Sequence, residues 1–111
     1  MADTLHSLQG VLGTSTGNMV PTSGVVAAST TETIIGILVS NVSSSSADVT
    51  VDLSVTKASG TLRHILNNVS LPFGTTIEIT TKVSLETGDK MQGLCSAASS
   101  AEYNVSFLRQ A

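Results

Sequence analysis

Few residues in this 111-residue sequence could do chemistry: one thiol, Cys95, two imidazoles, His6 and His64, and, of eight carboxylates, foremost Asp48, Asp52, Glu78 and Glu86. A structural zinc site needs four N or S ligands, usually clustered in pairs, and Cys95 with two distant histidines has no such spacing. Nucleophilic catalysis needs a base and an orienting acid beside the Ser or Cys, and no Gly-x-Ser-x-Gly elbow is present. The four carboxylates could pair for acid–base work or hold Ca²⁺, but they lack EF-hand spacing. Asp52 and Glu78 fall at outward strand positions, where they would provide solubility and discourage edge pairing. No glycine-rich phosphate loop precedes a helix, because no convincing helix is present. The expectation is therefore no catalytic, cofactor-binding or metal residues, no cofactor and no enzyme.

Cys95 lies in a run of strand character from Met91 to Ala97, where a thiol behaves as a small buried apolar group, and no neighbouring base would activate it. A lone cysteine permits no intrachain disulfide, which suits synthesis in a reducing cytoplasm. Asn41, Asn68 and Asn104 each open an Asn-Val-Ser triplet, expected by chance in a chain this rich in serine. Asp3 stands where a secretory signal would carry basic residues, so no such route is expected. Phe73, Tyr103 and Phe107 are the only aromatic residues, placed in a turn or towards a core, which argues against an exposed platform for sugars.

Composition narrows the partners. Ser and Thr are the commonest residues, charged residues make up 12%, about half the usual share, and the net charge is −3. Five Lys and Arg provide no basic footprint for nucleic acid. Ser40 and Asn41 interrupt the longest apolar run, Ile34 to Val39, so no membrane-spanning helix is expected. A mean hydropathy of +0.31 with so few charges points to apolar surface covered by another subunit, the alternative being a sandwich kept soluble by Ser and Thr alone.

These side chains must be positioned by strands. Val49, Val51, Leu53 and Val55 alternate with Thr50, Asp52 and Ser54, the period of a half-buried strand. Strands are expected at 25–28, 33–42, 47–57, 61–66, 69–71, 75–80, 82–85, 90–97 and 102–109. Turns fall at Ser43–Ser46, Ala58–Gly60, Pro72–Gly74 and Glu86–Asp89, and Asn67 and Asn68 break a strand. The first 24 residues, spaced by Gly10, Gly13 and Gly17, read as an extended N-terminal arm, loosely ordered or draped over a neighbour. The fold expectation is all-β: a single antiparallel β-sandwich over 25–111, jelly-roll or Ig-like Greek key, with the arm at 1–24.

Ile34-Ile-Gly-Ile-Leu-Val-Ser-Asn, Val49-Thr-Val-Asp-Leu, Asn68-Val-Ser-Leu-Pro-Phe-Gly, Leu85-Glu-Thr-Gly-Asp-Lys and Ser96-Ala-Ala-Ser-Ser-Ala-Glu-Tyr-Asn-Val-Ser-Phe together resemble small β-sandwich structural proteins of tailed bacteriophages, cyanophages included. The resemblance spans most of residues 25 to 110. It implies that Leu-x-x-Gly-Asp launches the penultimate strand and that the last strand is an edge. It also implies a virion structural protein, foremost a capsid decoration or cement protein. Such a protein would be a homo-oligomer, trimer or dimer, contacting the major capsid protein or other virion proteins. The alternatives are a neck, tail or baseplate component, or a host-surface or glycan-binding adhesin.

Overall fold

The computed structural model describes residues 3–111 and is all-β. Its strands are β1 (Asp3–Val11), β2 (Gly17–Val20), β3 (Thr31–Asn41), β4 (Val49–Thr56), β5 (Leu62–Leu71), β6 (Thr76–Ile79), β7 (Val83–Leu85), β8 (Lys90–Cys95) and β9 (Ala101–Gln110). One sheet runs β1-β9-β3-β6, with β7 also on β3; the other runs β2-β8-β4-β5. We call them sheet A and sheet B. β6 and β7 pair with successive halves of β3, so together they act as one interrupted edge strand.

The partners follow one rule. β4 pairs with β5, β3 with β6 and β7, β2 with β8, and β1 with β9, all antiparallel. The chain is thus one long hairpin, folded at the Ala58–Gly60 turn and rolled so that alternate strand pairs fall in opposite sheets. That is a jelly roll, and it selects this topology over the Ig-like alternative. Gly60 closes the hairpin with φ 94°, a conformation glycine adopts without strain, and its N–H donates to the Lys57 carbonyl at 2.8 Å.

Period-two patterning decides which side chains meet between the sheets. Ile34, Ile37, Val39, Val105 and Phe107 from sheet A face Met19, Val51, Leu53, Met91 and Cys95 from sheet B, all essentially inaccessible to water. At such burial each large aliphatic side chain contributes about 1.5–3 kcal/mol. Gly93 lets this layer close: a Cβ there would lie 2.8 Å from Met19 Sδ, 2.9 Å from Leu53 Cδ2 and 3.0 Å from the Asp52 carbonyl oxygen.

The expected arm is corrected. Residues 3–11 are β1, in unbroken register with β9 from Asp3↔Gln110 to Val11↔Glu102, and Met19 and Val20 of β2 are buried in the core. Local composition misled because Gly10, Gly13 and Gly17 lower strand propensity, whereas pairing to β9 and β8 supplies long-range bonds that propensity does not count. β9 is in consequence not an edge but lies between β1 and β3. Val25–Ala28 is not a strand; Val26 is held instead by bonds between its N–H and the Asp89 carbonyl and between its carbonyl and the Gly88 N–H. Asn67 and Asn68 do not end a strand either. β5 runs through them with a register shift against β4, and Asn68 takes φ 51°, which asparagine tolerates.

Two glycines in sheet interiors should respond oppositely. Gly93→Ala is expected to cost about 1–3 kcal/mol by overpacking, whereas Gly36→Ala, where a Cβ meets nothing within 4 Å, should be neutral or stabilising by a few tenths to about 1 kcal/mol. Thermal or urea unfolding of the two variants checks the contrast.

Candidate interaction face

The residues that could do chemistry are placed by this framework mostly in structural roles. Cys95 is fully buried on the inner side of β8, opposite Val51. His6 lies on the inner side of β1 and stacks on Phe107, ring centroids 5.3 Å apart and planes 14° apart. His64, half exposed on β5, has Nδ1 3.9 Å from Asp52 Oδ1 and faces Ser54 across the β4–β5 register. Ser, His and Asp therefore do meet, in a shallow cleft shared with Asn67 and Asn68. Yet among the described residues no hydrogen bond joins Ser54 to His64, and Asp52 Oδ1 accepts the Asn68 N–H at 2.9 Å, fixing the β5 bulge. A nucleophile needs the first bond and an orienting acid aimed at the base, so the cluster reads as a stabilised bulge. Asp48 likewise accepts the Phe73 N–H at 2.9 Å, holding the Pro72–Gly74 turn. No cluster of three or more His, Cys, Asp or Glu suited to a metal occurs among the described residues.

Three polar anchors escaped the sequence reading. Asp89, 1% exposed, accepts from Lys57 Nζ at 2.5 Å and from the N–H groups of Glu86 at 2.8 Å and Ala58 at 3.0 Å. It joins the 86–89 turn to the β4–β5 hairpin. Burial pushes its carboxyl up, but these donors more than offset that and leave it below the ordinary value of 3.8. Glu32, 2% exposed on β3, accepts from Arg109 Nε on β9 at 2.7 Å. Asn41 donates to the Ala47 and Leu71 carbonyls, each at 2.9 Å, and its Oδ1 accepts the Ser43 N–H, so the asparagine of the first Asn-Val-Ser triplet is buried in the folded chain. The Leu-x-x-Gly-Asp motif was the available signal for Asp89; the other two depend on contacts across the sheets.

Among the strand residues of sheet A, none that points outward is Lys or Arg. The outer face of sheet A presents Leu5, Ser7, Gln9 and Val11 from β1, Glu102, Asn104, Ser106 and Leu108 from β9, Leu38 and Ser40 from β3, and Thr76 and Glu78 from β6. Its charged members are Asp3, Glu78 and Glu102. Leu5, Val11 and Leu38 are large apolar side chains left exposed on it. A shallow groove crosses it between β1 and β3, past Gln9, Val11, Leu38 and Asn104. Of the three aromatic residues, Phe107 is buried, Tyr103 packs beneath β1 with its hydroxyl pushed to higher pKa by burial, and Phe73 is exposed alone in its turn.

No protein-family model and no curated protein matches the chain. Among solved structures it is similar to a pentameric capsid protein isolated from metagenomic phage sequences, at 17% identity and TM-score 0.44, over 94% of this chain and 60% of that one. It is similar also to the infectious bursal disease virus VP2 subviral particle, at 13% identity and TM-score 0.48, over 96% of this chain and 32% of that one. A third likeness is to the CBM22-1 xylan-binding domain from Paenibacillus barcinonensis, at 16% identity and TM-score 0.42, over 94% of this chain and 70% of that one. The chain thus spans about three-fifths of the phage-derived protein and a third of the bursal disease virus protein.

The sign of the Asp89 shift sets a pH dependence. A carboxyl depressed by folding adds stability that is complete above its unfolded value, near 3.8, and is lost as pH falls through the lower folded value. Asp89→Asn should therefore cost about 1–3 kcal/mol at neutral pH and flatten the loss of stability below pH ~4. Urea unfolding of both proteins between neutral and acid pH would show the two curves converging as pH falls.

Proposed function

We propose that this chain is a virion structural subunit, foremost a decoration or cement protein that stabilises a capsid shell through subunit–subunit contacts. The observation that carries the reading is the outer face of sheet A: broad, rich in Ser, Thr and Asn, with no Lys or Arg on the outward side of its strands, and studded with exposed Leu5, Val11 and Leu38. Such a face loses little on desolvation because few charges must be stripped of water, and the exposed aliphatics gain on burial. A rigid two-sheet body also loses little chain entropy on docking, so a modest area is enough for attachment. The sequence resemblance to phage β-sandwich structural proteins supports the same reading, as does the jelly-roll topology, which recurs in viral capsid domains. Its partner would be the major capsid protein or another virion protein.

Purified shells lacking this chain should regain heat resistance when it is added, and quantitative mass spectrometry should count a lattice-scale copy number. A copy number of a dozen or fewer would move the assignment to a neck or tail ring. Leu38→Arg places a charge on the face without touching the core, so its own folding stability should stay within about 0.5 kcal/mol while shell binding falls at least tenfold. Undiminished binding by the folded variant would remove sheet A's outer face from the contact.

A further inference from the structure

A sandwich of open sheets has four edge strands, and three of these are blunted here. β2 has only four residues, with a register irregularity, and Pro21 follows it. β5 is bulged twice against β4 and carries Arg63 and His64. The edge made by β6 and β7 is interrupted between Ile79 and Val83, where Lys82 sits. Bulges, prolines, short strands and lysines are the devices that keep edges from pairing with other chains. β1 has none of them: its nine residues hold continuous register with β9, and it contains no Lys, Arg or Pro.

The free backbone groups of β1 can be assigned. Leu12 N–H donates to the Ala101 carbonyl at 2.9 Å, which fixes the alternation of the ladder. By that alternation Thr4, His6, Leu8 and Gly10 bond to β9, and Leu5, Ser7, Gln9 and Val11 turn their N–H and C=O groups to the open edge. The same four residues point outward, with Leu5 70% and Val11 54% exposed.

We propose that β1 is a homodimer interface, pairing antiparallel with β1 of a second copy to make one continuous sheet across a two-fold axis at Leu8. In this register Leu5 faces the partner subunit's Val11 and Ser7 faces the partner subunit's Gln9 as hydrogen-bonded pairs, and symmetry repeats both. Leu8 faces the partner subunit's Leu8, and His6 faces the partner subunit's Gly10. The two most exposed aliphatics of the strand thereby cover each other. Asp3, its one carboxylate, ends opposite the partner subunit's Gly13 rather than another charge. This self-complementarity commits the edge to a copy of the same chain. The pairing deepens the assembly reading above but is a property of the isolated protein, so each can fail alone.

Sedimentation equilibrium of the full chain at high micromolar concentration should show a dimer, and amide exchange should find Leu5, Ser7, Gln9 and Val11 protected. Ser7→Pro removes an edge N–H that the monomer does not use, so it should weaken dimerisation more than about tenfold with unchanged circular dichroism. Under oxidising conditions, Leu5→Cys combined with Val11→Cys should cross-link two subunits. A monomeric wild type, or a dimer in which those four amides exchange freely, overturns the proposal. Should Ser7→Pro fail to fold, exchange in the wild type decides. Shell binding by a monomer would remove only the β1 interface; a β1-paired dimer that ignores shells would remove only the virion assignment.

Discussion

The lodging of β9 between β1 and β3 is the constraint on which the rest of the molecule depends. β9 supplies Val105 and Phe107 to the core and takes backbone partners along both sides, so it pins the first strand of the hairpin to the last. Once that closure is made, β2 must lie on β8 and β4 on β5, and the chain has only one way to roll. The interactions that secure the closure come from distant parts of the sequence. Arg109 on β9 reaches Glu32 on β3, and the Phe107 ring stacks on His6 from β1.

Charge economy follows from this arrangement. A sandwich with only 12% charged residues has few to spend, and several go to joints between elements rather than to the surface. Asp89 ties a turn to a hairpin, Asp48 a second turn to the start of β4, and Asp52 the bulge of β5. The outward strand residues of sheet A are hydroxyls, amides, scattered aliphatics and the carboxylates Asp3, Glu78 and Glu102. Such a surface suits contact with other protein and is poorly suited to nucleic acid, whose binding rests on neutralising phosphates.

The sequence made the fold class legible because the strongest signal, alternation at Val49–Val55, is a direct consequence of burying one side of a pleated strand. The Ser43–Ser46, Ala58–Gly60, Pro72–Gly74 and Glu86–Asp89 turns were legible too, since Gly, Pro and short polar side chains act on their own backbone. The first 24 residues were not. Their glycines weaken local preference, and only pairing with a strand some 90 residues later makes them extended. The edge position that the resemblance to phage proteins implies for the last strand is overturned by the same pairing, which puts β9 between β1 and β3. The absence of a catalytic constellation was an expectation from spacing alone; spacing could not foresee that Ser54, His64 and Asp52 would meet, because that meeting depends on the β4–β5 register. Buried Glu32 has no local signal at all, because its partner Arg109 lies on a strand distant in sequence.

We propose that a rigid jelly roll, closed by β9, offers the outer face of sheet A, whose strand residues there include carboxylates but no Lys or Arg, to other subunits of a particle. Cryo-electron microscopy of intact particles that contain this chain tests it most directly, at a resolution that traces individual strands. In such reconstructions the chain should lie on the shell with the β1-β9-β3-β6 face against neighbouring protein, Leu38 and Asn104 within the contact. Particles in which that face is bathed in solvent, while another surface holds the subunit in place, would contradict it.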